Sequence, residues 1–140
     1  MKKTPLRKEA KKETLGWWKK KFWTSFSLYI RTRDNFKCFT CDNKGDGKGM
    51  HAGHFIPRSA GGMALYFDDR NVHAQCYRCN INLGGNGAEY YRRMVERYGQ
   101  EVVDELFHIK NNGFKKYSIE EYQELIEVYK DKLKKLDEKK

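Results

Sequence analysis

"CFTCDNKGDGKGMHAGHFIPRSAGGMALYFDDRNVHAQCYRCN", residues 38–80, decides the fold. It opens and closes on Cys-x-x-Cys pairs, Cys38/Cys41 and Cys76/Cys79. Two such pairs supply four thiolates, the donor set of a closed tetrahedral Zn²⁺ site with no position left for substrate. The expectation is one structural zinc that ties the segment before a first strand to the start of a following helix. A redox dithiol would need a thioredoxin-like context, and neither pair has one. A loop this long and glycine-rich would be costly to order without the metal. With zinc satisfied by cysteine, His51 and His54 become available for other work.

Composition narrows the partner. Lys and Arg number 29 against 19 acids in 140 residues, a net charge of +10. Such an excess favours an anionic partner, nucleic acid first. No run of 18 apolar residues exists, so no membrane span is expected. The opening "MKKTPLRKEAKK" is basic but leads into no apolar segment of the secretory kind. The expected location is cytoplasmic, where thiols stay reduced and cysteines read as metal ligands.

The length suits one domain. Residues 1–13 read as a flexible basic arm and 14–140 as a single domain. Within it, 14–33 is a helix, with Trp18, Phe22, Phe26, Tyr29 and Ile30 recurring at spacings of three to four as its core face. Trp17 and Trp23 fall off that stripe and read as surface residues. Residues 34–86 gather all four cysteines and three of the four histidines in a loop-rich, metal-organised segment. There, a strand is expected around His51–Ile56, a loop at "RSAGG", and a second strand at "NVHAQC". Helices return over 87–140. The first has Asn86 as N-cap, Glu89 three residues on, and Gly99 as its stop. "QEVVDELFHIKNNG" follows as a second. Ser118 and Glu121 form a capping box for a third, whose apolar stripe runs through Ile119, Tyr122, Leu125, Ile126, Tyr129, Leu133 and Leu136. His108 lies in a helical run outside the motif and reads as structural or solvated.

Between the cysteine pairs, His54 ends "AGHFIP", Asn71 follows "DDR", and Asn80 stands directly after the last cysteine. These three resemble the His-Asn-His motif of HNH, or ββα-metal, nucleases, a subset of which carries such cysteine knuckles. The resemblance implies that His54 is the general base, that Asn71 braces the loop between the strands, and that Asn80 binds a catalytic divalent cation. The residue types suit the chemistry. A neutral imidazole can take a proton from water near pH 7, and Mg²⁺ or Mn²⁺ takes oxygen ligands. Many HNH sites carry a metal-binding Asp or His just before the base, where this chain has Gly53. His51, on the same strand face as Gly53, and His73 are the candidates to replace it. Arg58 could clamp a phosphate, and Arg92, Arg93 and Arg97 could flank the site on DNA; each could equally be a solvated arginine.

"SLYIRTRDNFKCFTC", "AGHFIPR", "NVHAQCYRCN" and "YGQEVVDEL" are similar, more narrowly, to the phage NinG/Rap recombination family, over most of the chain. That resemblance implies a phage- or prophage-encoded, structure-specific endonuclease acting on branched DNA such as Holliday junctions and D-loops. The expected fold class is α+β: a zinc-stapled ββα-metal (HNH, treble-clef-like) core within a mainly helical domain. Symmetric junction cleavage would favour a homodimer. The rival reading is a zinc-binding module that holds nucleic acid without cutting it; a protein-interaction adaptor using the last helix is a third.

Overall fold

The aromatic stripe forms its helix. In a computed structural model that describes residues 13–44 and 49–139, α1 spans Leu15–Arg33. Then come β1 (His51–His54), α2 (Arg58–Tyr66), β2 (Val72–Gln75), a short wide helical turn (Arg78–Asn82), α3 (Gly87–Tyr98), α4 (Gln100–Asn112) and α5 (Ile119–Glu138). The class is mixed and mainly helical, with one two-stranded sheet. The basic arm expected over 1–13 lies, apart from Glu13, outside the described residues. Among those residues no helix is long and apolar enough to cross a membrane.

Two compact units make up the chain. The first comprises the described residues up to Tyr29 and from Tyr117 on. Its core is where the two predicted stripes meet. Phe22 and Phe26 are fully buried, with ring centroids 5.4 and 5.2 Å from Tyr129 of α5. Edge-to-face geometry of this kind adds about 0.5–1.5 kcal/mol per pair beyond the burial itself. The capping box starts α5 as read: the Ser118 hydroxyl accepts from Glu121 N at 3.1 Å, and the Glu121 carboxylate accepts from Ser118 N at 2.9 Å. Trp17 and Trp23 are half-buried, against Trp18 and Phe26, and not displayed on the surface.

The second unit, Ile30–Lys116, carries the sheet and the cysteines. β1 and β2 pair antiparallel in the register His51↔Gln75, Ala52↔Ala74, Gly53↔His73, His54↔Val72. Paired residues share a face, so His51, Gly53, His73 and Gln75 lie on one side and His54 on the other. The free edge of β2 is closed by Asp34, whose carboxylate accepts from Ala74 N at 2.8 Å, and by Phe39 N, which donates to Ala74 O at 2.8 Å. Phe39, Ile56, Leu65, Tyr90, Met94, Val103 and Leu106 form the core beneath.

Two local expectations are corrected. "RSAGG" is helical and not a loop: Pro57 starts α2 in extended geometry, and its carbonyl accepts from both Ala60 N and Gly61 N. What the glycines mark is a kink at Gly62, whose φ of 61° a residue with a side chain would adopt only under strain. Asn86 is not a side-chain N-cap. It takes the left-handed conformation, and its amide donates instead to Cys79 Sγ at 3.6 Å. Glu89 therefore forms no capping box and pairs with Arg92 and Arg93. Gly99 does end α3.

Candidate active site and metal centre

The sulfurs of Cys38, Cys41, Cys76 and Cys79 all lie within 4.8 Å of one another. Each knuckle is closed by the same backbone bond, Asp42 N to Cys38 O and Asn80 N to Cys76 O, both 2.9 Å. Burial opposes ionisation of Cys38, but hydrogen bonds led by the Thr40 hydroxyl bring its thiol down to about 7. Burial and the neighbouring thiols push Cys41 up to about 12. Four sulfurs this close cannot all carry charge without a cation among them. Donor type, number and spacing fit a tetrahedral zinc ion, which the four cysteines could hold.

His54 ends β1 with its ring stacked on Tyr66 at 4.6 Å. Its Nε2 lies 2.9 Å from the Tyr66 carbonyl oxygen. A carbonyl only accepts, so Nε2 carries the proton and Nδ1 the lone pair. Burial lowers the imidazole below its ordinary 6.5, and the Tyr66 bond only partly opposes this. The ring is therefore neutral at pH 7, in one tautomer. Tyr66 closes α2, so the helix that glycine content disguised is what orients His54. A backbone carbonyl leaves no sequence signal of its own.

Asn71 is fully buried. Its Oδ1 accepts from Ile56 N at 2.9 Å, and its Nδ2 donates to Ile56 O at 3.0 Å and Leu65 O at 3.1 Å. One side chain thus holds both ends of α2, the segment that delivers the Tyr66 carbonyl to His54.

Gly53 faces a different set of groups. A Cβ at this position would collide with Gln75 Oε1 and lie 3.0 Å from Asn80 Oδ1, so a side chain fits only if Gln75 moves. The Asn80 amide nitrogen is 2.9 Å from His51 Nδ1. His51 Nδ1 is therefore engaged by the Asn80 amide, which it orients. His73 is corrected as a metal ligand. It is fully buried and stacked on Phe39, with Nδ1 3.1 Å from the Tyr90 hydroxyl and Nε2 2.6 Å from the Tyr98 hydroxyl. Both nitrogens are occupied. Burial, aided by the charges of Arg33 and Arg97, holds it neutral, well below the usual histidine range. Tyr90 in turn donates to Gly53 O at 2.7 Å, which ties the strand to α3.

A family model described as "Bacteriophage Lambda NinG protein" matches residues 1–139. The chain belongs to the NinG family. It is 33% identical over 135 residues to "Protein ninG" of Escherichia phage 933W, covering 96% of this chain and 65% of that protein. With "Protein ninG" of Escherichia phage lambda the identity is 33%, over 96% of this chain and 64% of the other. With that of Salmonella phage P22 it is 32%, at the same 96% and 64%. The chain thus spans just under two thirds of the length of these curated relatives. No solved structure matches.

In this NinG-family chain the four predicted DNA-binding arginines have different surroundings. Arg58 is exposed on the first turn of α2, near enough for its charge to act on Tyr66. Arg97 is exposed on α3, 5.0 Å above the Phe39 ring. Arg92 pairs with Glu89 and Glu96 along its own helix. Arg93 is committed to Glu89, Asp42 and the Phe39 carbonyl, clamping α3 to the first knuckle. Those partners engage the guanidinium that was expected to flank the site on DNA. A cleft of about 500 Å³ opens beside the knuckle, lined by Arg33, Asp34, Lys37, Phe39, Arg93 and Arg97 among others.

Proposed function

We propose that this chain is a divalent-cation-dependent HNH-type endonuclease that hydrolyses phosphodiester bonds in branched recombination intermediates such as Holliday junctions and D-loops. The observation that carries the reading is His54: neutral at pH 7, with its Nε2 proton committed to the Tyr66 carbonyl. Its Nδ1 is the basic atom and takes the proton from a water placed in line with the scissile phosphorus. Asn71 acts through α2, keeping the Tyr66 carbonyl where it holds the ring. Asn80 would hold the cation through its amide oxygen, and His51 sets that amide's orientation. The donors around Gly53 are oxygens, which fit Mg²⁺ or Mn²⁺ better than a thiophilic metal. When bound, such a cation neutralises charge on the phosphate and on the leaving 3′ oxygen. In this reading β1, β2 and the turn bearing Asn80 form the ββα-metal core, and zinc on the four cysteines serves structure alone. Net charge of +10, with Arg58 and Arg97 exposed, supports a DNA substrate held mainly through phosphates. The preference for branched DNA rests on the resemblance to the NinG/Rap recombination family. Symmetric cleavage of a four-way junction would call for a homodimer.

The absence of a donor on Gly53 favours a second reading, a zinc-held module that binds nucleic acid without cutting it. One assay separates the two. Zinc-loaded protein is offered duplex, flap, fork and four-way junction with Mg²⁺ or Mn²⁺. Nicking of branched DNA, lost in His54→Ala while binding persists, is the expected result. Binding without cleavage under either cation would refute the nuclease reading.

A further inference from the structure

Gln75 is fully buried, yet its Oε1 has no hydrogen-bond partner among the described residues. The amide cannot simply be turned over. Its Nε2 donates to the Gly85 carbonyl at 2.9 Å and to the Thr40 hydroxyl at 3.0 Å. A carbonyl only accepts, so the nitrogen belongs on that side and the oxygen on the Gly53 side. An unsatisfied buried carbonyl of this kind costs about 1–3 kcal/mol, which makes it a site in need of a partner. The neighbouring polar atom is another acceptor: Gln75 Oε1 and Asn80 Oδ1 both crowd one point, the absent Gly53 Cβ. With the Asn80 nitrogen on His51 Nδ1, its oxygen lies on the Gly53 side, and two acceptors beside the glycine with no proton of their own to share are an arrangement a cation resolves.

We infer that Gln75 is the second protein ligand of the divalent cation, supplied from β2 in place of the side chain that Gly53 lacks. The inference rests on the proposed nuclease reading for the cation's purpose, and on the geometry above for its place. The register explains the exchange. Gly53 and Gln75 share a face on adjacent strands, so a donor can come from either position but not both. A Cβ at Gly53 would collide with Gln75 Oε1, so a side chain there requires the glutamine to withdraw. His73 does not compete, since both its nitrogens are held by tyrosines, and His51 Nδ1 is engaged by the Asn80 amide. Two neutral amide oxygens make a weak site. That suits a cation that keeps several waters and completes its shell on a phosphate.

The test is Mn²⁺ binding to zinc-loaded protein without DNA, read by the loss of free-ion EPR signal. Wild type should bind, and Gln75→Ala should weaken binding by about tenfold or more with zinc content and circular dichroism unchanged. Gly53→Asp in the Gln75→Ala background should restore binding, because its carboxylate starts from the point where the two oxygens converge. Should Gln75→Ala not fold, Gln75→Asn, one methylene shorter, decides: its oxygen is withdrawn from the Gly53 side, and Mn²⁺ binding equal to wild type would overturn the role of Gln75. Binding lost in Asn80→Ala but unchanged in Gln75→Ala would overturn the role of Gln75 and leave the cation reading intact. No Mn²⁺ binding by wild type would overturn both.

Discussion

Asn71→Ala removes one buried amide and strands the groups it serves. Ile56 N–H loses its acceptor at 2.9 Å and Ile56 O its donor at 3.0 Å. Leu65 O also loses a donor but keeps Asp68 N at 3.2 Å, so it contributes little. At about 1–3 kcal/mol for each buried group left unpaired, the two Ile56 groups set a cost of about 2–6 kcal/mol. That is a large share of the roughly 5–15 kcal/mol that holds a typical domain together. The assay is urea denaturation of zinc-loaded protein. Asn71→Asp sharpens it. Its first oxygen can still accept from Ile56 N, while its second faces two carbonyl oxygens and is tolerated only when protonated. The introduced carboxyl should therefore titrate above its usual 3.9 or so in the folded state. The folded protein then binds more protons than the unfolded chain, so stability falls as pH rises. Asn71→Asp should lie closer to wild type at pH 4.5 than at pH 7.5. A loss under about 1 kcal/mol for Asn71→Ala, or a pH-independent Asn71→Asp, would refute the bracing argument.

Three further outcomes follow from the site. Because burial lowers His54 below its ordinary 6.5, cleavage should rise with pH along a limb whose midpoint lies under 6.5, and His54→Ala should lose about 10²-fold or more; a midpoint above 6.5 would contradict the assigned base. His73 is also held neutral, so the unfolded chain takes up protons first as pH falls below 6.5, and stability is lost in that direction. In His73→Gln, denaturation midpoints should vary less between pH 7 and 5.5 than in wild type; an equal slope would show that this ring does not carry the effect. Metal analysis should find about one zinc per chain, and Cys76→Ser should abolish cooperative unfolding of the Ile30–Lys116 unit; a folded, zinc-free variant would show that the cysteines are dispensable.

Much of this was legible along the chain because its cause is local. The cysteine pairs announce a thiolate cluster by spacing alone, and the sulfurs do converge. Ser118 and Glu121 cap α5 because both partners lie within one turn. The aromatic spacing in α1 predicts a buried stripe, and of it Phe22, Phe26 and Ile30 are fully buried while Trp18 and Tyr29 are half-buried. Even Asn71 was readable from its motif, although its partners were not.

Choosing among the histidines was another matter. His51, His54 and His73 are the same residue type on two short strands, and their difference lies in what surrounds each ring. For His73 that is Tyr90 and Tyr98, one helix away in sequence. For His54 it is a carbonyl in a helix hidden by its glycines. For His51 it is the Asn80 amide. Arg93 gives up its expected surface role because Asp42, distant in the chain, reaches it. For Gln75 it is the strand register that sets its oxygen against Gly53. Helices, caps and metal-ligand spacing follow from sequence because neighbours along the chain create them. A proton's place on an imidazole, or an amide left without a donor, depends on atoms brought together only when the strands pair and α3 closes over them.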